Sequence, residues 1–226
     1  MRVFLTIVGI FLVVGWHSSS DAVPLMTEAS AAIDYRAIVG DHPSSLALAR
    51  GLDARLLVRR GRRGELMHVQ HCRQSEGGCR ARIAAMSRLI TDSSNENGFD
   101  PFLTAGVALK ESGLNPLAVS RVGAVGIVQL HPKYRGKTVP FVYNERYRAE
   151  CATQPGGCQR EVLDAGLGLL AWAIERCDGD VSKGLGWYNS GHCQNNRYAR
   201  TVLRERRRLL RHAKGVEPGQ QSVFLD

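Results

Sequence analysis

Glu111 ends the apolar run GVALKE and is followed by SGLNPLAVSRVGAVGIVQLHP, a stretch of small polar residues and glycines. A carboxylic acid that protonates a leaving oxygen near neutral pH must hold its proton, and apolar surroundings that raise its pKa make this possible. The GVALK before Glu111 and Leu114 after it supply such neighbours. A solvated acid at a helix end is the ordinary alternative, and from this context alone it is the commoner one. Gly123 and Gly126 suit a tightly folded backbone beneath a groove that admits a flat ring.

The element that must position Glu111 is a helix with clear ends. Asp100 suits the cap, and Pro101 costs nothing in the first turn, where its missing N–H has no helical partner. Phe102, Ala105, Gly106 and Leu109 recur at three- and four-residue steps and predict a buried face. Gly113 and Asn115-Pro116 then stop the helix just after Lys110 and Glu111. Upstream, CRARIAAMSRLIT from Cys79 to Thr91 reads as an amphipathic helix with Ile83, Met86, Leu89 and Ile90 on one side, and the polar DSSNENG after it reads as a loop.

Downstream, a long helix is expected from Arg160 to Cys177, a short one from Val181 through Tyr188, and a final one from Asn196 to Lys214. Between Val23 and Gly64 weak helical patterns alternate with breakers. There LALARGLDARLLVRRGRRGE has helical spacing, an arginine-rich face and a hinge at its end. Sustained apolar/polar alternation is missing, so strands should be few and the class mainly α.

The chain has 226 residues with 44% hydrophobic residues, enough for a real core and against global disorder. Met1-Arg2 precedes VFLTIVGIFLVVGW and then HSSSDA, a pattern that reads as a secretory signal cleaved near Ser20 to Ala22. The apolar segment is shorter than the roughly 20 residues of a membrane-spanning helix. Export would place the chain in the periplasm or outside the cell, where cysteines pair. By proximity the expected bridges are Cys72 with Cys79, Cys151 with Cys158, and Cys177 with Cys193. His68, His71, Cys72 and Cys79 are also residue types that could hold zinc. Their spacing fits no standard finger, so disulfide is the favoured reading and no metal is expected.

The net charge of +9 is concentrated near the C-terminus, where Arg197, Arg200, Arg204, Arg206, Arg207, Arg208, Arg211 and Lys214 face one acid, Glu205. In an exported protein such a helix fits an anionic wall polymer or membrane surface rather than nucleic acid, or is simply a solvated face.

Several of these residues form ordered patterns. Glu111-Ser112, Asn115-Pro116, Ala118, Ser120, Gly123-Ala124, Gly126, Gln129 and Pro132 resemble the first signature of lytic transglycosylases with a soluble-lytic-transglycosylase-type domain. GLGWYNSGHCQNNRYARTVL resembles their second signature through Tyr188-Asn189, Gly191, Tyr198 and Val202. The resemblance covers roughly Ile83 to Leu203 and implies a lysozyme-like helical domain with a substrate groove, here stapled by disulfides. It further implies cleavage of the β-1,4 bond between N-acetylmuramic acid and N-acetylglucosamine in peptidoglycan without water and without a cofactor.

By the same resemblance Glu111 is acid and then base. Ser120 and Gln129 line the saccharide cleft, Tyr188 approaches the acid, and Asn189 orders the second-signature turn. Two departures stand out. Ile127-Val128 replace the family's usual Leu-Met, and His131 stands where a methionine is common, so altered sugar contacts are expected. The Cys151 to Cys158 loop lies in an apparent insertion and is expected at one end of the cleft.

These readings divide the chain into a signal peptide (1–22), an N-terminal extension (23–82), the catalytic domain (83–203) and a basic helix and tail (204–226). The expected role is wall remodelling, or local wall opening for a secretion or conjugation apparatus. A hydrolytic lysozyme of similar fold would need a second carboxylate, for which Asp100, Glu145, Glu150 and Asp164 are candidates. A non-catalytic peptidoglycan-binding scaffold is the alternative of a different class.

Overall fold

The helix that ends beside Glu111 is buried through most of its length, and other helices pack around it. A computed structural model describes residues 43–60 and 64–214, all within one compact unit of the chain, Asp34–Asp226. The signal peptide, the first part of the N-terminal extension, the middle of the expected hinge and the tail after Lys214 lie outside the described residues. In chain order the elements are α1 (Pro43–Leu56), strands β1 (Leu57–Arg60) and β2 (Glu65–His68), α2 (Gln70–Arg73), α3 (Gly78–Glu96) and α4 (Pro101–Ser112). A 3-10 turn (Arg135–Thr138), α5 (Pro140–Tyr143), α6 (Glu145–Glu150), α7 (Arg160–Arg176), α8 (Val181–Ser190) and α9 (Arg197–Ala213) follow. The class is mainly α, as the periodicity predicts.

Helix α4 has the ends read from its residues. The Asp100 side chain accepts from the Phe102 amide, Pro101 opens the first turn, and Gly113 closes the helix with φ of 64°. Residues 102 to 108 are all buried, a wider burial than the single face expected, and Leu109 is only half-buried. The reason is that α3 packs against one part of α4 and α9 against another. Gly106 permits the second contact, since a Cβ there would lie 3.0 Å from the Val202 carbonyl oxygen of α9.

Two expectations upstream need correction. DSSNENG is not a loop from its start, because α3 continues through Glu96. Ser93 and Ser94 are buried in that last turn, and their hydroxyls find partners beyond the helix, Asp164 Oδ1 at 2.5 Å and Thr104 Oγ1 at 2.8 Å. Tertiary hydrogen bonds thus make a polar turn helical. The LALARGLDARLLVRRGRRGE run is helical only to Leu56. Its continuation pairs as an antiparallel hairpin, Leu57 opposite His68 and Arg60 opposite Glu65, where ladder hydrogen bonds outweigh weak helical spacing.

Residues of the expected N-terminal extension contribute to the same core as α3, α4 and α9. Leu48, Ala49 and Leu52 are fully buried, and α1 packs on both α3 and α9. Arg82 is also fully buried and donates to the carbonyls of Pro155 at 2.9 Å and Ala152 at 3.3 Å. It holds the Cys151 to Cys158 loop onto α3.

Two of the three expected disulfides are present, Cys151–Cys158 and Cys177–Cys193. Cys72 and Cys79 are instead separate buried thiols, close enough for a side-chain hydrogen bond, and burial raises both of their pKa values. His68 pairs with Asp53 at 2.9 Å.

Candidate active site

Glu111 lies in the last turn of α4, with Ser112 fixing the segment behind it. The Ser112 hydroxyl donates to Ala108 O at 3.0 Å and reaches Ile127 O at 2.9 Å, tying the helix end to the returning loop. That loop is held by short antiparallel bridges, Val119 with Val125 and Val125 with Leu130. At the Gly126 turn φ is +85°, and a Cβ would meet Val162 Cγ1 at 2.9 Å, so only glycine fits without displacement.

The result is a cleft of about 560 Å³. The loop side contributes Ser120, Val122, Gln129, His131, Tyr134 and Arg135, while α7 and α8 contribute Leu169, Trp172, Trp187, Tyr188 and Asn189. Among the described residues Glu111 is the only acid lining it. All five residues expected from the motifs, Glu111, Ser120, Gln129, Tyr188 and Asn189, are therefore brought together.

Their individual roles differ from a simple row of sugar ligands. Ser120 Oγ accepts from the Ala124 amide at 2.9 Å, leaving its hydroxyl hydrogen to donate. Gln129 has φ of 53°, and its amide nitrogen donates to Ala118 O at 3.1 Å and Gly126 O at 2.9 Å. Its nitrogen holds the loop, and its carbonyl oxygen is the group left to meet a ligand. Tyr188 donates to Val128 O at 2.7 Å, joining α8 to the loop.

The tyrosine that engages the acid is Tyr198, whose hydroxyl donates to Glu111 Oε1 at 2.6 Å. Its ring stacks at 21° to that of Tyr188 with centroids 6.4 Å apart. Tyr198 occupies a second-signature position in the sequence, but only the packing of α9 on α4 shows which atom it meets. Asn189 is exposed on the cleft. In the turn that follows, Gly191 has φ of 75° and the Asn196 side chain accepts from the Ala199 amide at 3.0 Å. Trp172 and Trp187 carry no motif signal that separates them from core aromatics, yet they meet edge-on with centroids 4.5 Å apart and both line the cleft.

The departures also have physical consequences. Ile127 and Val128 are buried, so their side chains belong to the core and the expected change in sugar contacts does not arise from them. His131 does line the cleft. Its Nδ1 accepts from the Lys133 amide at 3.1 Å, which leaves the Nε2–H to donate to Val122 O at 2.8 Å. The Cys151 to Cys158 loop does not line the cleft. It braces the signature loop from outside, where a Cβ on Gly157 would lie 2.7 Å from Pro116 Cβ.

Burial pushes the Glu111 pKa above its ordinary value, outweighing the Tyr198 hydrogen bond and the nearby Lys110 charge, which both lower it. The candidate second carboxylates are engaged elsewhere. Asp100 caps the far end of α4 and pairs with Arg206. Glu145 pairs with Arg148, Glu150 with Arg146 and Asp164 with Arg160.

The site therefore combines one partly buried carboxyl group, its pKa raised by burial, with aromatic surfaces and hydrogen-bonding groups in an open cleft. The family description of the transglycosylase SLT domain matches residues 88–210, a span that includes Glu111, the whole cleft loop, α8 and most of α9. The chain belongs to the transglycosylase SLT domain family.

Proposed function

We propose that the protein is a peptidoglycan lytic transglycosylase. The observation that carries this reading is that Glu111 is the single acid lining the cleft among the described residues, since water-using glycosidases ordinarily need two carboxylates. In the proposed reaction Glu111 gives its proton to the glycosidic oxygen between N-acetylmuramic acid and N-acetylglucosamine as that bond breaks. The resulting carboxylate takes the proton of the muramic acid 6-hydroxyl, whose oxygen bonds to the anomeric carbon. The products are a 1,6-anhydro end and a free N-acetylglucosamine hydroxyl, with Glu111 protonated again. Its raised pKa suits the first step, and the Tyr198 hydrogen bond steadies the carboxylate between steps.

Trp172 and Trp187 offer apolar ring faces to pyranoses, while Ser120, the Gln129 carbonyl and Asn189 offer hydrogen bonds. The two disulfides support action in an oxidising compartment, hence a mature chain that works in the periplasm or outside the cell after signal removal. Wall remodelling, or opening wall for a secretion or conjugation apparatus, is the role this activity serves. The outward cations of α9 are assigned to an anionic wall polymer or membrane surface.

Mass analysis of soluble products from purified peptidoglycan tests the reaction, with Glu111→Gln alongside. Anhydromuramic ends from the wild type alone are expected. Reducing ends would identify a hydrolytic lysozyme, and binding without any products would identify a scaffold.

A further inference from the structure

From Ser112 to Asn144 the chain contains no acid but carries Arg121, Lys133, Arg135 and Lys137. All four are exposed, and none forms an ion pair among the described residues. Arg135 lines the cleft beside Tyr134, and Arg121 adjoins Val122, which also lines it. The segment is held firmly, because the amides of Tyr134 and Gly136 both donate to the His131 carbonyl, at 3.0 and 3.1 Å. Gly136 is essential to this close turn, since a Cβ there would lie 2.4 Å from Val142 Cγ1. Of the exposed apolar side chains in this part of the chain, Val122 (75%) and Tyr134 (71%) line the cleft, and Val119 (60%) lies on the same loop as Val122.

Fixed cations interspersed with apolar surface suit an extended ligand that alternates methyl groups with carboxylates. Peptidoglycan stem peptides have this chemistry, and they hang from the muramic acid unit that must sit beside Glu111. We propose that the Arg121, Lys133, Arg135 and Lys137 rim binds the free carboxylates of the stem peptide, so that the enzyme selects peptide-bearing strands over bare glycan. This inference rests on the peptidoglycan reading above.

The test measures binding to Glu111→Gln by tryptophan fluorescence, with Trp172 and Trp187 as reporters. The ligands are tetrasaccharide strands bearing stem tetrapeptides and the same strands stripped by an amidase. Peptide-bearing strands are expected to bind about fivefold tighter at low salt, the scale of one or two exposed ion pairs. The advantage shrinks as ionic strength rises, and it is lost when Arg135→Glu or the pair Lys133→Glu and Lys137→Glu is added. Equal affinity for the two ligands overturns the proposal, as does a preference that survives both salt and charge reversal. Failure to bind either strand overturns the peptidoglycan reading with it. Wild-type turnover is followed separately: a preference in binding without anhydro products would sustain the rim and overturn only the transglycosylase reaction.

Discussion

Tyr198, on α9, donates its hydroxyl hydrogen to Oε1 of Glu111, at the end of α4, over a distance of 2.6 Å. The bond favours the carboxylate, whereas burial favours the neutral acid, and burial is the larger influence. Tyr198 therefore limits how far the Glu111 pKa rises. Removing the donor in Tyr198→Phe should raise that pKa further and move the alkaline limb of the pH–rate profile upward. Hydrogen bonds to charged groups are worth roughly 1.5–3 kcal/mol, so a displacement of about 1 pH unit is expected, with a rate loss of roughly tenfold. A profile that falls in height but does not move would show that Tyr198 supports the fold without tuning the acid.

The same pKa shift predicts how stability depends on pH. An acid with a raised folded pKa binds more protons folded than unfolded, so the folded state loses stability as pH rises. The loss begins near the ordinary value of 4.5 and is complete above the folded pKa. Glu111→Gln removes the cost of burying the charge. Its unfolding free energy should match wild type at pH 4 and exceed it at pH 8, with the gap opening as pH rises. Urea melts across that range decide the matter, and a constant difference between the two proteins would place the Glu111 carboxylate in a solvated setting.

Much of this arrangement is legible in the amino-acid sequence. The cap at Asp100-Pro101, the stop at Gly113 and the motif residues locate the helix and loop that carry Glu111, because those signals act within a few residues of chain. What stays hidden depends on contacts between distant segments. The last turn of α3 looks like a loop because the Ser93 and Ser94 partners, Asp164 and Thr104, are far along the chain or on another helix. Tyr188 and Tyr198 are equally visible as motif residues, but which of them reaches Glu111 depends on how α8 and α9 pack. Trp172 resembles a core aromatic in sequence, and only its 38% exposure beside the cleft marks it as contact surface.

The Cys177–Cys193 bridge spans the segment that presents Trp187 and Tyr188 to the cleft. It joins the residue after α7 to the turn after α8, closing a loop with a sequence separation of 16. Loop-closure entropy at that length is worth about 3 kcal/mol. The double variant Cys177→Ser, Cys193→Ser should lose about that much stability in denaturant melts and lose turnover with it, as the α8 end loosens. Unchanged melts would mean that helix packing alone fixes this part of the site.

Cations on α9 divide into two groups, and the division predicts different defects. Arg208 pairs with buried Glu205 at 2.7 Å, and Arg55 of α1 reaches the same carboxylate at 2.7 Å. Arg206 pairs with Asp100 at the cap of α4. The Arg55–Glu205 and Arg206–Asp100 pairs join helices, while Arg208 holds Glu205 from within α9. Arg197, Arg200, Arg204, Arg207, Arg211 and Lys214 are exposed, and helical geometry places them within a sector of about 100° along roughly 25 Å. With the apolar side of α9 committed to the core, this face can attract an anionic surface but cannot insert into one. Charge reversal at Arg204, Arg207 and Arg211 together should reduce retention on purified sacculi several-fold at low salt and flatten its dependence on ionic strength. Arg206→Ala should instead cost up to about 1 kcal/mol of stability, since its ion pair is only partly shielded from water, and leave the salt dependence of retention in place. Co-sedimentation over a salt series, read beside thermal melts of both variants, separates these effects. If the triple variant keeps the wild-type salt slope, the outward arginines are a solvated face and not the source of any retention on sacculi.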